Sequence, residues 1–102
     1  EALACGYHPI SSIISGNSIA RAMPGEKRLG IKLVADKATG KLLGAQAVGT
    51  MGAVSRINTL SCVLWNDMSL DEIAYLDLAY SPPVGPAWDP IHIAAQELMR
   101  KL

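Results

Sequence analysis

The sequence predicts an α+β domain in which an antiparallel sheet carries helices packed on one face. Three observations lead there. Runs with a period of two, the mark of strands, are grouped ahead of runs with helical spacing. Two of the strand runs are joined by a short turn with a glycine near its end, which makes them an antiparallel hairpin. Two of the helical runs open on residues that cap helix starts.

In chain order, residues 1–7 (EALACGY) read as the last turns of a helix, with Gly6 as terminator and Pro9 preventing continuation. Residues 10–15 (ISSIIS) read as a strand closed by Gly16-Asn17, and Pro24-Gly25 marks a turn. From Arg28 to Asp36, Leu29, Ile31 and Leu33 alternate with Gly30, Lys32 and Val34, which predicts a strand with one buried face. Residues 36–41 form a polar turn, and Leu42 to Gly49 resume the extended pattern. From Gly52 to about Asn66 a helix is expected, with Val54, Ile57, Leu60, Leu64 and Met68 as its apolar stripe. Ser69-Leu70-Asp71-Glu72 is a capping box that starts a short helix carrying Ile73 and Leu76 inward. The three prolines in residues 81–86 exclude a helix there. Asp89-Pro90 then opens the last helix, with Ile91, Ala94, Ala95, Leu98, Met99 and Leu102 on one face.

A chain of 102 residues makes one domain, residues 1–102. Half its residues are hydrophobic, yet 5% are aromatic and phenylalanine is absent, so the core is aliphatic. Nine acidic and nine basic side chains cancel, which argues against nucleic acid or a membrane surface as a partner. No apolar run reaches the length of a membrane span. The mean hydropathy of +0.24 is therefore an excess, and it marks a domain that docks on a partner or on the rest of a larger protein. The chain starts without methionine in helix-like sequence and reads as a piece of a longer polypeptide. Cys5 and Cys62 read as partly buried free thiols in a reducing, cytoplasmic compartment.

Few residue patterns carry chemistry. Gly44, Gly49 and Gly52 lie between strand and helix, but no phosphate-loop or dinucleotide fingerprint surrounds them, so tight packing is the expected role. Cys5, His8, Cys62 and His92 lack the paired spacing of a metal site, and no metal is expected. Cys62 falls mid-helix, where a thiol packs rather than attacks. Asp71 and Glu72 are explained by the helix start, and Asp89 by its cap. The segment from Leu76 to Pro90 differs. It is a proline-stiffened loop that carries Tyr80 and Trp88, and a stiff loop loses little entropy on docking.

At this loop a resemblance emerges. Leu78-Ala79-Tyr80-Ser81-Pro82-Pro83, followed by Asp89-Pro90, resembles the L-A-Y-x-P-P…D-P signature that closes the C-terminal dimerisation domain of FAD-dependent pyridine nucleotide-disulfide oxidoreductases. The branch is that of coenzyme A-disulfide reductases and NADH oxidases and peroxidases. Residues 40–49 (GKLLGAQAVG), Ile57-Asn58 and residues 68–73 (MSLDEI) match the same family in order and spacing. The resemblance implies the FAD/NAD-linked reductase dimerisation fold. It implies FAD and NAD(P)H in two preceding domains of the same chain, a redox cysteine in the first of them, and a first strand of this domain before Glu1. No cofactor is expected within residues 1–102.

The resemblance further implies a homodimer whose proline loop reaches the partner's flavin and redox cysteine. Tyr80 is the expected catalytic residue, with Ser81, Pro82, Pro83 and Trp88 as loop residues facing substrate or partner. Relatives like glutathione reductase place a His-Pro there instead. Ala22-Met23 departs from the aromatic residue that many branch members carry before the Pro-Gly turn. Coenzyme A disulfide, persulfide, peroxide and oxygen all stay open as substrates. On this reading the isolated piece is not catalytic. The alternative is an independent interaction or ligand-binding module gripping its ligand near Trp88, recognisable as a monomer with a well-formed pocket.

Overall fold

The computed structural model describes residues 1–19, 28–79, 85–86 and 88–102. A 3-10 turn (Leu3–Cys5) ends on Gly6, in the left-handed region at φ 90°, in place of the helix end expected there. Three strands follow: β1 (Pro9–Asn17), β2 (Arg28–Asp36) and β3 (Leu42–Gly49). They form an antiparallel sheet in the order β1-β2-β3. The helices are α1 (Ala53–Trp65), α2 (Leu70–Ala74) and α3 (Pro90–Met99). The expected α+β architecture is the observed one, although the expected turn at Pro24-Gly25 lies outside the described residues.

The register divides the sheet into two faces, because side chains alternate along each strand. One face carries the rows Ser12/Leu33/Ala45, Ile14/Ile31/Ala47 and Gly16/Leu29/Gly49. On this face α3 packs across β1 and β2, while α1 lies on β3. Leu29, Ile31 and Leu33 are buried with Leu60, Val63, Leu70, Ile73, Ile91 and Leu98, an aliphatic core that needs no phenylalanine. The other face carries Ser11/Val34/Gly44, Ile13/Lys32/Gln46 and Ser15/Gly30/Val48, where Ile13 and Val48 are exposed. β1 is longer than expected, because Pro9 and the Gly16-Asn17 pair join the ladder with β2.

The turn after β2 is organised by Asp36. Its carboxylate accepts from the His8 backbone N–H at 3.1 Å and from Thr39 Oγ1 at 3.0 Å. The His8 bond is the main reason its carboxyl sits below the ordinary range, against an opposing effect of burial. A lowered native value means stability that is complete above about pH 4 and lost as pH falls through the lowered value. Between about pH 7 and about pH 3, urea midpoints of the wild type should fall more steeply than those of Asp36→Asn.

Both helix-start signals are realised. Ser69 Oγ accepts from Glu72 N at 3.3 Å, and the Glu72 carboxylate accepts from Ser69 N at 3.0 Å. Asp89 caps α3, with Oδ1 accepting from Ile91 N at 3.0 Å, and Pro90 occupies the first turn. Leu102 lies beyond the end of α3 and is exposed, so it leaves the face assigned to it.

Helix α1 is turned relative to the stripe read from its sequence. Leu60, Val63 and Arg56 are buried, with Ala53 and Ile57 partly covered. Val54 is 75% exposed and Leu64 43%. The helix seats its Arg56/Leu60/Val63 side inward, so Val54 falls nearly half a turn away from the core. Cys62 and Cys5 are exposed, contrary to the packed thiols expected, Cys62 because it faces away from Leu60 and Val63.

Candidate functional site

Among the residues singled out around the loop, Tyr80, Ser81, Pro82 and Pro83 lie outside the described residues. Trp88 is described, and so are both flanks of the loop.

The leading flank follows α2. Leu78 N donates to Leu76 O at 3.1 Å, and Leu76 O also meets His92 Nε2 at 2.7 Å. His92 Nδ1 accepts from the Asp89 backbone N–H at 2.9 Å, which requires an unprotonated Nδ1 and makes Nε2–H the donor to the carbonyl. His92 therefore fills the glutamate's place in a capping box and ties α3 to the end of α2. Trp88 stands edge-on to His92 at 5.6 Å and to Tyr75 at 6.4 Å. These rings, with Leu76, Asp77 and Leu78, line a cleft of about 240 Å³. That is below the usual range for ligand pockets, about 300–1,000 Å³. Trp88 itself remains 55% exposed. A wider groove of about 710 Å³ includes Leu3, Tyr7, Lys32, Val34, Gln46 and Leu64, away from this loop.

The trailing flank is held by an ion pair that the sequence reading did not find. Arg56 and Asp89 are 5% and 8% exposed. Arg56 Nη2 donates to Asp89 Oδ2 at 3.0 Å, and Nε to Oδ1 at 3.4 Å. Nη2 also donates to Ser18 O at 3.0 Å, and Nη1 to Gly52 O at 3.4 Å. At least these four polar contacts, counted among the described residues, surround a guanidinium that burial alone would penalise heavily. The one available signal was that Arg56 is the lone charged residue in α1, one turn ahead of Leu60 on its inward side.

Gly52 makes room for this arrangement. It sits at φ 84°, and a Cβ there would stand 2.4 Å from Arg56 Nη1 and 2.8 Å from Ser18 Cβ. At Gly49 a Cβ would stand 2.9 Å from Arg28 O. Gly49 and Gly52 thus serve close packing. Gly44 differs, because a Cβ there would meet nothing within 4 Å. Cys5 and Cys62 are exposed on separate elements, while both ring nitrogens of His92 are engaged with backbone. Among the described residues no group of three or more metal-ligating side chains converges. No helix among them is long and apolar enough to cross a membrane.

The described residues thus form a three-stranded antiparallel sheet backed by helices, with Asp89 held by Arg56 and Leu76 by His92 on the two flanks of residues 80–84. Residues 2–90 match the family model described as "Pyridine nucleotide-disulphide oxidoreductase, dimerisation domain", and the chain belongs to that family. It is 34% identical over 98 residues to the NAD(P)H sulfur oxidoreductase (CoA-dependent) of Pyrococcus furiosus, covering 96% of this chain and 22% of that protein. It is 34% identical over 70 residues to the coenzyme A disulfide reductase of Staphylococcus epidermidis, covering 69% of this chain and 16% of that protein. Among solved structures, a NAD-dependent persulfide reductase from A. fulgidus superposes with a TM-score of 0.93 at 34% identity, over 98% of this chain and 19% of that one. The chain thus spans about a fifth of the length of these relatives.

Proposed function

We propose that this chain is the homodimerisation domain of a flavin-dependent NAD(P)H disulfide reductase or oxidase, and that its loop carries Tyr80 into the partner subunit's active site. The observation that carries the reading is the outward side of α1. Val54 and Trp65 are 75% and 90% exposed there, and Asn58, Ser61 and Cys62 are exposed between them. Val54, Asn58, Ser61 and Trp65 recur at helical spacing, so they share one stripe. A two-fold contact uses the same patch on both subunits. Two copies of α1 laid antiparallel would set Val54 of each against Trp65 of the other, with the small polar residues near the axis. Such a patch suits a family of dimerisation domains, and it gives the excess hydropathy of the chain a destination.

Tyr80 enters by the L-A-Y-x-P-P resemblance, in a segment whose flanks are fixed by His92 and Arg56. A phenol offers one hydroxyl that can donate a hydrogen bond or a proton to a thiolate or to substrate at the partner's redox cysteine. FAD and NAD(P)H belong, on this reading, to preceding domains, and the isolated chain is inactive. The named relatives in sulfur, persulfide and coenzyme A disulfide reduction make a sulfur–sulfur bond the favoured substrate class.

The test is Tyr80→Phe in the full-length enzyme. Loss of the hydroxyl should lower turnover with disulfide or persulfide by about 10²-fold, the usual scale of a proton donor. Reduction of the flavin by NAD(P)H should be unchanged. Unaltered turnover with every disulfide and peroxide substrate would remove Tyr80 from its role.

A further inference from the structure

We infer that Arg56 is a positioning residue for the tyrosine loop, acting through its ion pair with Asp89 and its bond to Ser18 O. The inference rests on the reading that Tyr80 works in the partner's active site.

Three features of the clamp support it. The first is place. Gly85, where the described chain resumes after the loop, lies against the pair: a Cβ there would stand 3.5 Å from both Arg56 Nη2 and Asp89 Oδ2. The same point is 3.9 Å from Ala79 O, at the residue just before Tyr80. Ala79 and Gly85, the described residues on either side of 80–84, therefore stand next to each other near the guanidinium. What holds Gly85 also limits where the chain carrying Tyr80 can start.

The second feature is direction. An apolar side chain of similar volume would fill the same space, and buried ion pairs are often replaceable by such packing without loss of stability. A guanidinium adds fixed geometry, because its planar fork sets the angle of approach to a carboxylate. Here the fork spans three elements: it leaves α1, meets the cap of α3 through Asp89, and reaches the chain just past β1 through Ser18 O.

The third feature is coupling. Asp89 Oδ1 also accepts from Ile91 N, and the Asp89 N–H is held by His92, whose other nitrogen meets Leu76 O. The trailing flank, the start of α3 and the leading flank thus form one connected set of bonds. A shift of Arg56 reaches both ends of the loop, and displacements of about 1 Å at a reacting group can change rates by about 10²-fold.

The experiment uses the full-length enzyme with Arg56→Lys, and with Arg56→Met/Asp89→Asn. Lysine keeps the charge and loses the fork. The double variant removes both charges, so neither is left buried alone, and asparagine retains the helix cap. Hydrogen exchange measured by mass spectrometry should show amides of residues 79–89 exchanging at least about tenfold faster, with β2 and α1 unchanged. Turnover with disulfide should fall about tenfold or more in kcat, with KM within about twofold and flavin reduction by NAD(P)H unaltered. In the Tyr80→Phe background, the Arg56→Lys substitution should have little additional effect, since both act at one point.

Unchanged exchange in residues 79–89 in both variants would overturn the clamp, whatever Tyr80 does. Faster exchange without loss of turnover, while Tyr80→Phe is impaired, would overturn the positioning role. If Tyr80→Phe itself is without effect, the proposed function fails, and the exchange result still judges the clamp separately.

Discussion

Replacing Val54 with aspartate and Trp65 with glutamate should turn a dimer of this chain into a monomer and abolish disulfide turnover in the full-length enzyme. Both side chains are largely exposed in the single chain, so neither supports its core. Val54 lies in the first turn of α1, where a carboxylate is favoured by the helix dipole. The monomer fold should therefore survive, and far-UV circular dichroism should be unchanged. In the dimer, four carboxylates would have to enter an apolar contact, each losing solvation without a cation to pair with. A buried tryptophan anchor alone is worth about 2 kcal/mol or more, and the added charges make the total loss equal to at least about a thousandfold in dissociation constant. Sedimentation velocity reads the result directly. A variant that stays dimeric at low micromolar concentration would move the contact to another face, and the open side of the sheet around Ile13 and Val48 would become the next place to test.

The second large effect is expected from Gly52→Ala. An alanine at φ 84° carries a strain of about 1–2 kcal/mol. Its methyl group would also occupy the position 2.4 Å from Arg56 Nη1. The guanidinium must then move, leaving Asp89 buried with a weakened partner, a situation that costs about 3–5 kcal/mol when the pair is lost outright. Urea unfolding should show a total loss of about 3–5 kcal/mol. Gly6→Ala separates the two contributions. Gly6 has φ 90°, but nothing lies within 4 Å of a Cβ there, so only the strain of about 1–2 kcal/mol is expected. Equal losses in the two variants would mean that Arg56 yields easily and that the clamp is soft.

The strands β2 and β3 were legible to the residue, because strict alternation beside polar turns leaves one choice of register. The starts of α2 and α3 were equally legible, since Ser69 and Asp89 announce them by side-chain chemistry that acts within three residues. The rotation of α1 was not. Its sequence is apolar on two sides, so periodicity alone could place either Val54 or Val63 inward, and contact with β3 decides. The Arg56–Asp89 pair was invisible for a related reason. Its partners are 33 residues apart, and each has a plausible local explanation as a solvated arginine or a helix cap. The loop residue expected to carry chemistry, Tyr80, rests on family resemblance, because no local physical signal separates it from a tyrosine that covers a core edge.

One carboxylate, that of Asp89, is shared between the first turn of α3 and the guanidinium from α1. This division of labour fixes the frame on either side of residues 80–84 through Arg56, Asp89 and His92, which lie outside them. A chimera that transplants residues 80–84 from a relative with a different electron acceptor should therefore fold like the parent and, on the function proposed above, should change which acceptor is turned over.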